Sequence, residues 1–328
     1  MNGQHILGGR KVDVPLDVFD DEPGPYTMSF AFDLQPLWES IKTIGLVNPP
    51  CIAEDEKGRI EVISGYRRIL ALKRIGRSAI LCEDLSSALP SAKERLLFAF
   101  FENLGTRDFN DAEKAMILKR LKPLFPEEHI LKRFMPLLSL PCHEEAFTLY
   151  LTLAAKGDAF MDAVARGRLC LKAAKSLMEL NHESEACAFQ CIMDLMLNVN
   201  QQMQFIDIMI DISEIEGSSF SRILKAAPVA AVLKSRRLNR PQKARRLLEE
   251  LRRQRYPRWM AAEKRFQKKV EELHLPGGVR MDHPPYFEAP GYRLEMPFLD
   301  GGDLMKKLRQ LSENRGLAAF QNPVDEDD

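Results

Sequence analysis

The chain has 328 residues, 45% apolar and 29% charged, with 47 basic and 47 acidic side chains. This is the balance of a soluble protein large enough for two or three domains. No apolar run is long enough to span a bilayer, and the first twenty residues lack a hydrophobic signal core; the expectation is a cytoplasmic protein with no membrane span.

In chain order, Val12, Val14, Leu16 and Val18 alternate as a strand does, and Pro23-Gly24-Pro25 marks a loop. Leu34, Leu37, Trp38 and Ile41 fall on one face of a helix that Gly45 ends. NPPCIAE and IEVIS flank Lys57-Gly58 in a hairpin pattern. The stretch IEVISGYRRILALKRIG, residues 60–76, begins as a strand, breaks at Ser64-Gly65 and continues as a helix opening with Arg67 and Arg68. A glycine at such a junction lets a ligand approach the backbone, and a helix N-terminus offers unpaired N–H groups, so the turn reads as an anion site. The plainer reading is a turn glycine followed by two solvated arginines. SAILCE adds a strand, and the alternation of strands and helices to residue 85 predicts a small α/β domain.

From Ser91 the pattern is helical. Ser91 with Glu94 and Asn110 with Glu113 have capping-box spacing. Helices are expected over residues 144–154, 158–166, 170–180, 185–198, 200–212 and 219–233, and two basic helices meet near Tyr256-Pro257. Residues 275–298 predict a hairpin, DGGDLMKKLRQL a last helix capped by Asp300 or Asp303, and NPVDEDD a disordered acidic tail. Cys51, Cys82, Cys142, Cys170, Cys187 and Cys191 form no CxxC and have no histidine at metal spacing, so all six read as reduced core cysteines.

The zero net charge hides an asymmetry. Residues 1–133 carry −1, 134–233 carry −5 and 270–328 carry −6, whereas residues 234–269 carry +12. Arginine predominates in that basic segment, and its planar fork suits phosphate. Arg245, Arg246, Arg252 and Arg253 are therefore candidates for contact with the DNA backbone, with a pair of solvated basic helices as the competing reading.

LWESIKTIGLVNPPCIA, EVISGYRRILALKRIG and ENLGTRDFNDAEKA come in the order and at about the spacing of the boxes of ParB-type chromosome and plasmid partition proteins. The chain resembles that family over residues 11–122. The resemblance implies an α+β protein: a ParB/sulfiredoxin-like α/β domain over residues 1–105, then a mainly helical domain over 106–240 with a degenerate helix-turn-helix. A third region, 241–328, combines basic helices, a hairpin, a helix and the tail as a small α/β element. It further implies that CTP with magnesium binds the first domain and closes a dimeric clamp on DNA. DNA, a second copy of the chain and a partner ATPase are thus the implied partners, at the nucleoid. Gly45, Asn48 and Pro49 resemble the box beside base and triphosphate. Gly65, Tyr66, Arg67 and Arg68 resemble the phosphate box. Glu102 and Asn103 resemble the start of the third box, whose oxygens hold magnesium.

Two departures matter. Thr106 stands where the third box carries arginine, with Arg107 one place later; on a helix that shift turns the guanidinium by about 100°. Tyr66 stands where many members carry a glutamate tied to nucleotide turnover. The expectation is a nucleotide site with weak CTPase activity or none. Sulfiredoxin shares the fold in outline, but its phosphate turn carries a catalytic cysteine and SGYRR has none.

A helix-turn-helix would place its turn near Pro136 to His143 and its reading helix over Glu144 to Ala154. From Phe134 to Ala155 there is no lysine or arginine, and Glu144 and Glu145 head the helix, where carboxylates repel DNA. Phe147, Leu149, Tyr150, Leu151 and Leu153 are instead expected in a core. Lys172 and Lys175 are possible phosphate contacts. The function expected is a ParB-like, CTP-responsive DNA-binding protein in segregation, plasmid maintenance or transcriptional control. A ParB-fold nuclease and an interaction protein with a relict nucleotide site are the alternatives.

Overall fold

The alternation at Val12 and Val14 forms β1 (Arg10–Pro15), whose inward Val14 and the following Leu16 enter the core. The apolar face from Leu37 to Ile41 forms α1 (Gln35–Ile44), and Asp55 to Arg59 closes the hairpin between β2 (Cys51–Glu54) and β3 (Ile60–Ser64). α2 (Tyr66–Ile75) crosses back to β4 (Ala79–Asp84). The sheet order is β1-β4-β2-β3, with β2 and β4 parallel and the other pairs antiparallel. Ile41, Ile52, Ile69, Leu72 and Ile80 pack where α1 and α2 cover the sheet. The computed structural model describes residues 9–284, 287 and 291–320. The acidic tail expected at the C-terminus lies outside them.

Residues 19–33 run over this domain as a strap without regular structure. A segment with Tyr26 and Met28 buried must satisfy its polar backbone groups, and side chains do so. Arg107 donates to the Met28 carbonyl at 2.7 Å, Arg120 to those of Thr27 and Gly24, and the Glu113 carboxylate accepts the Phe30 N–H at 3.0 Å.

Both expected capping boxes are present, at the starts of α3 (Ala92–Leu104) and α4 (Asp111–Leu121). The helical run continues through α5 (Glu127–His129), a π-wound Ile130–Phe134 and α6 (Met135–Leu137). Then come α7 (Glu144–Leu153), α8 (Asp158–Ala165), α9 (Leu171–Met178) and α10 (His182–Leu195). The chain divides into two units, residues 1–193 and 194–328.

The second unit holds α11 (Val199–Glu216), α12 (Phe220–Lys225) and α13 (Ala227–Lys234). The single helix expected over 219–233 is broken at Ala226, because Pro228 has no N–H to continue it and sits instead in the first turn of α13. α14 (Arg240–Arg255) and α15 (Pro257–Glu272) meet at Tyr256, and β5 (Arg280–Asp282) pairs antiparallel with β6 (Arg293–Glu295). Asp300 caps α16 (Gly301–Ser312), accepting the Asp303 N–H at 2.8 Å, and α17 (Arg315–Ala318) follows. No helix among the described residues is long and apolar enough to cross a membrane.

The cysteines depart from expectation. Cys51, Cys82 and Cys191 are buried, Cys170 and Cys187 are half-buried and Cys142 is exposed; none is in a disulfide. Burial pushes the Cys51 thiol up to about 11 and the Cys82 thiol to about 12. Cys170 sits at the start of α9, where its sulfur accepts the Ala173 N–H. A helix-cap position competes there with burial.

Candidate anion site and basic surface

Gly65 ends β3 and precedes α2 with φ +94°, the left-handed region open to glycine. A Cβ there would lie 2.9 Å from Pro50 Cα, so the glycine also lets the Gly45–Pro50 loop come close. No side chain caps α2, and the first N–H groups of a helix have no intrahelical partner.

The two arginines of the turn are used differently. Arg68 Nη1 donates to the carbonyls of Asn48 at 2.6 Å and Pro49 at 2.9 Å. Its Nη2 reaches Ser64 Oγ at 3.3 Å and lies 3.6 Å from Glu102 Oε1, while Ser64 donates to Glu102 Oε2 at 2.8 Å. Arg68 thus ties together the loop, the turn and the end of α3, and much of its fork is occupied. Arg67 lies 5.1 Å over the Phe32 ring and donates weakly to the Asp33 carbonyl at 3.4 Å. Its Nε is buried without a partner among the described residues. Burial, then the like charge of Arg107, hold its pKa below the usual arginine range.

Tyr66 is buried; its hydroxyl donates to the Asp21 carbonyl at 2.5 Å and its ring meets Phe32 edge-on. Gly45 closes α1 with φ +81° and begins the loop that carries Asn48 and Pro49.

At the third box Arg107 does not point where an unbroken helix would send it. α3 ends at Leu104, so Thr106 and Arg107 lie beyond it, and Arg107 folds back rather than rotating onward. It donates to Asn103 Oδ1 at 3.2 Å and to Glu113 at 2.8 Å, and so reaches the neighbourhood of Arg67. Thr106 donates its hydroxyl to the Glu102 and Asn103 carbonyls and caps the end of α3. Of the two metal candidates, Glu102 keeps a carboxylate about one-third exposed. Asn103 engages its oxygen with Arg107 and its amide with the Ala99 carbonyl. Among the described residues no three His, Cys, Asp or Glu side chains gather as a metal site. One carboxylate suits magnesium where phosphate oxygens supply further ligands.

Ser64 and Glu113 also belong to this neighbourhood, although the sequence does not place them in it. Ser64 precedes the glycine, and Glu113 reads from the sequence only as the third residue of a capping box, without its bonds to Arg107 and to the Phe30 N–H.

On α14, Leu247, Leu248 and Leu251 turn inward as expected. Arg245, Arg246 and Arg253 are exposed; Arg245 lies 3.6 Å from Glu249 and Arg253 2.9 Å from Glu250. Arg252 is half-buried and donates to Gln204 on α11 at 2.7 Å, so its guanidinium is engaged within the protein where the other three are exposed. On α7, Phe147, Tyr150 and Leu153 are buried, while Leu149 and Leu151 are only half-buried. Tyr150 donates to Asp111 on α4 at 2.6 Å, and Glu144 and Glu145 are exposed. Lys172 and Lys175 on α9 are exposed.

No protein-family model matches the chain. The chain is 26% identical over 201 residues to a nucleoid occlusion protein of a Geobacillus species, covering 57% of this chain and 61% of that protein. It is 31% identical over 131 residues to a probable chromosome-partitioning protein ParB of Neisseria meningitidis serogroup A, covering 39% of this chain and 44% of that one. The chain thus spans only part of the length of these curated relatives. Among solved structures it is similar to a C-terminally truncated ParB from Caulobacter crescentus complexed with CTP-gamma-S. That likeness has 21% identity and a TM-score of 0.26, over 56% of this chain and 99% of that one.

Proposed function

The chain belongs to the ParB-type family, and on that premise we propose that it is a DNA-binding partition protein that takes CTP at the Ser64–Arg68 turn. The observation that carries the reading is Gly65. Its left-handed conformation joins a strand to an uncapped helix N-terminus, with two guanidiniums, Arg67 and Arg107, close by. Backbone N–H groups and forked cations together favour a polyphosphate. Arg67, with its unpaired Nε, is the side chain that turns to the phosphates, and Arg107 supports it. Arg68 positions Asn48 and Pro49. Glu102 would hold magnesium, and Asn103 would join it only if Arg107 released its oxygen. Magnesium bound there would neutralise phosphate charge. Tyr66 and Thr106 supply no carboxylate or cation to the turn, so turnover is slow or absent.

DNA is engaged through the exposed arginines of α14 rather than through α7, whose leading end carries Glu144 and Glu145. The helical region from α4 to α13 is a degenerate helix-turn-helix domain that serves as scaffold. A second copy of the chain joins through α16, where Leu304, Met305, Leu308 and Leu311 make one apolar stripe and no residue is buried. A partner ATPase completes the system.

The test is a titration of the purified chain with each of the four NTPs, with and without magnesium. Saturable binding confined to CTP supports the reading. Binding of none removes the nucleotide and leaves an interaction protein with a relict site.

A further inference from the structure

A groove of about 650 Å³ opens where the C-terminal ends of α1 and α2 meet the start of β4. Gly65 lies at the other end of α2, about 15 Å along a ten-residue helix. The floor of the groove is apolar: Ile41, Leu46, Leu72, Ile75 and Ile80. Its only charged lining residues are Lys42 and Arg77, both exposed. Arg74 extends the cationic rim, since it and Lys42 lie over the Trp38 ring at 5.6 and 4.9 Å. No carboxylate lines the groove, although residues 1–133 as a whole carry net −1. The three cations are therefore a local feature, not the overflow of a basic domain.

The apolar surface also runs past the groove. Ile44 and Val47, on either side of the lining residues Gly45 and Leu46, are 68% and 69% exposed, and Leu81 at the rim is 40% exposed. Singly exposed aliphatic side chains are ordinary, but here they are contiguous with an open apolar groove, and such patches mark contact surfaces. The loop wall is preformed, because Arg68 holds it by the Asn48 and Pro49 carbonyls. A rigid wall lowers the ordering cost of binding.

We propose that this groove docks an acidic amphipathic segment of a partner protein. Aliphatic side chains of the segment cover Leu46, Leu72 and Ile75, and its carboxylates meet Lys42, Arg74 and Arg77. A nucleic acid would leave the aliphatic floor uncovered, and a small ligand would leave Ile44 and Val47 in water. An amphipathic helix covers both, with apolar side chains at i, i+3, i+4 and i+7. The inference does not rest on the nucleotide reading.

The test uses two fluorescein-labelled peptides with leucine at that spacing, one with glutamate at every other position and one with lysine. Anisotropy is measured on the full chain. The glutamate peptide should bind saturably and at least about tenfold more tightly than the lysine peptide. Lys42→Glu combined with Arg77→Glu should reverse that order, while Arg245→Glu with Arg246→Glu should leave it unchanged. The proposal is overturned if the two peptides bind alike, or if binding of the acidic peptide ignores the change at Lys42 and Arg77 or follows the change on α14. A change in oligomeric state with Val47→Asp and Leu81→Asp, without loss of peptide binding, would assign the face to a second copy and overturn it too.

Discussion

The Arg68 guanidinium donates to the Asn48 carbonyl at 2.6 Å and so fixes the loop before β2 to the helix after Gly65. Arg67, the next residue back, has only a weak contact with Asp33 and an unpaired Nε. The two arginines should therefore separate on mutation. Arg67→Ala removes a donor that already lacks a partner, so stability should stay within about 1 kcal/mol of the parent while CTP affinity is lost. Arg68→Ala releases two carbonyls and should cost about 1–3 kcal/mol. Urea unfolding and CTP titration of both variants measure this. Equal loss of stability in the two would show that the geometry does not divide their roles.

Gly65 and Gly76 offer a second contrast. Both have positive φ, +94° and +83°, but only at Gly65 would a Cβ meet Pro50. Gly76→Ala incurs the left-handed penalty alone, about 1–2 kcal/mol. Gly65→Ala must also push the Pro50 loop away, so it should cost more and should weaken CTP binding as well. A Gly65→Ala variant as stable as Gly76→Ala, with unchanged binding, would show that the close approach to Pro50 is dispensable.

Much of the first domain was legible because its signals are local. The breaks at Gly45, Gly65 and Gly76, the hairpin at Lys57-Gly58 and the boxes at Ser91 and Asn110 each depend on a few adjacent residues. The bonds from Arg68 to Asn48, from Arg107 to Met28 and from Phe30 to Glu113 were not legible, since their partners lie 20, 79 and 83 positions apart along the chain. Arg107 departs from its expected direction for a related reason. A rotation of one helical step requires α3 to continue, whereas Gly105 lies just past its end. On α14 the inward leucines could be read from spacing, but the turn of Arg252 toward Gln204 depends on where α11 packs.

α16 provides a prediction about assembly. None of its residues is buried, yet Met305 is 53% and Leu308 43% exposed on one stripe. Leu304→Asp with Leu308→Asp should leave the fold of each chain intact and convert a dimer to a monomer in sedimentation velocity. An unchanged mass would put the second copy elsewhere.

The arginines proposed to meet DNA differ in exposure and in partners. Each phosphate neutralised on duplex DNA releases counterions, so the slope of log K against log salt is about −0.9 per phosphate. Arg245, Arg246 and Arg253 are exposed on α14, whereas Arg252 is held against α11 by Gln204. Glu249 and Glu250 lie beside Arg245 and Arg253, but exposed pairs of this kind are weak and phosphate can displace them. Replacing Arg245, Arg246 and Arg253 with glutamine should make the slope shallower by roughly 0.9 for each phosphate no longer neutralised, with affinity reduced alike on unrelated sequences. Arg252→Gln should leave the slope unchanged. The measurement is duplex binding by anisotropy from low to physiological salt, with circular dichroism to confirm the helices. If the triple variant keeps the parent's slope and affinity, α14 is scaffold and the DNA contact must be sought on another surface.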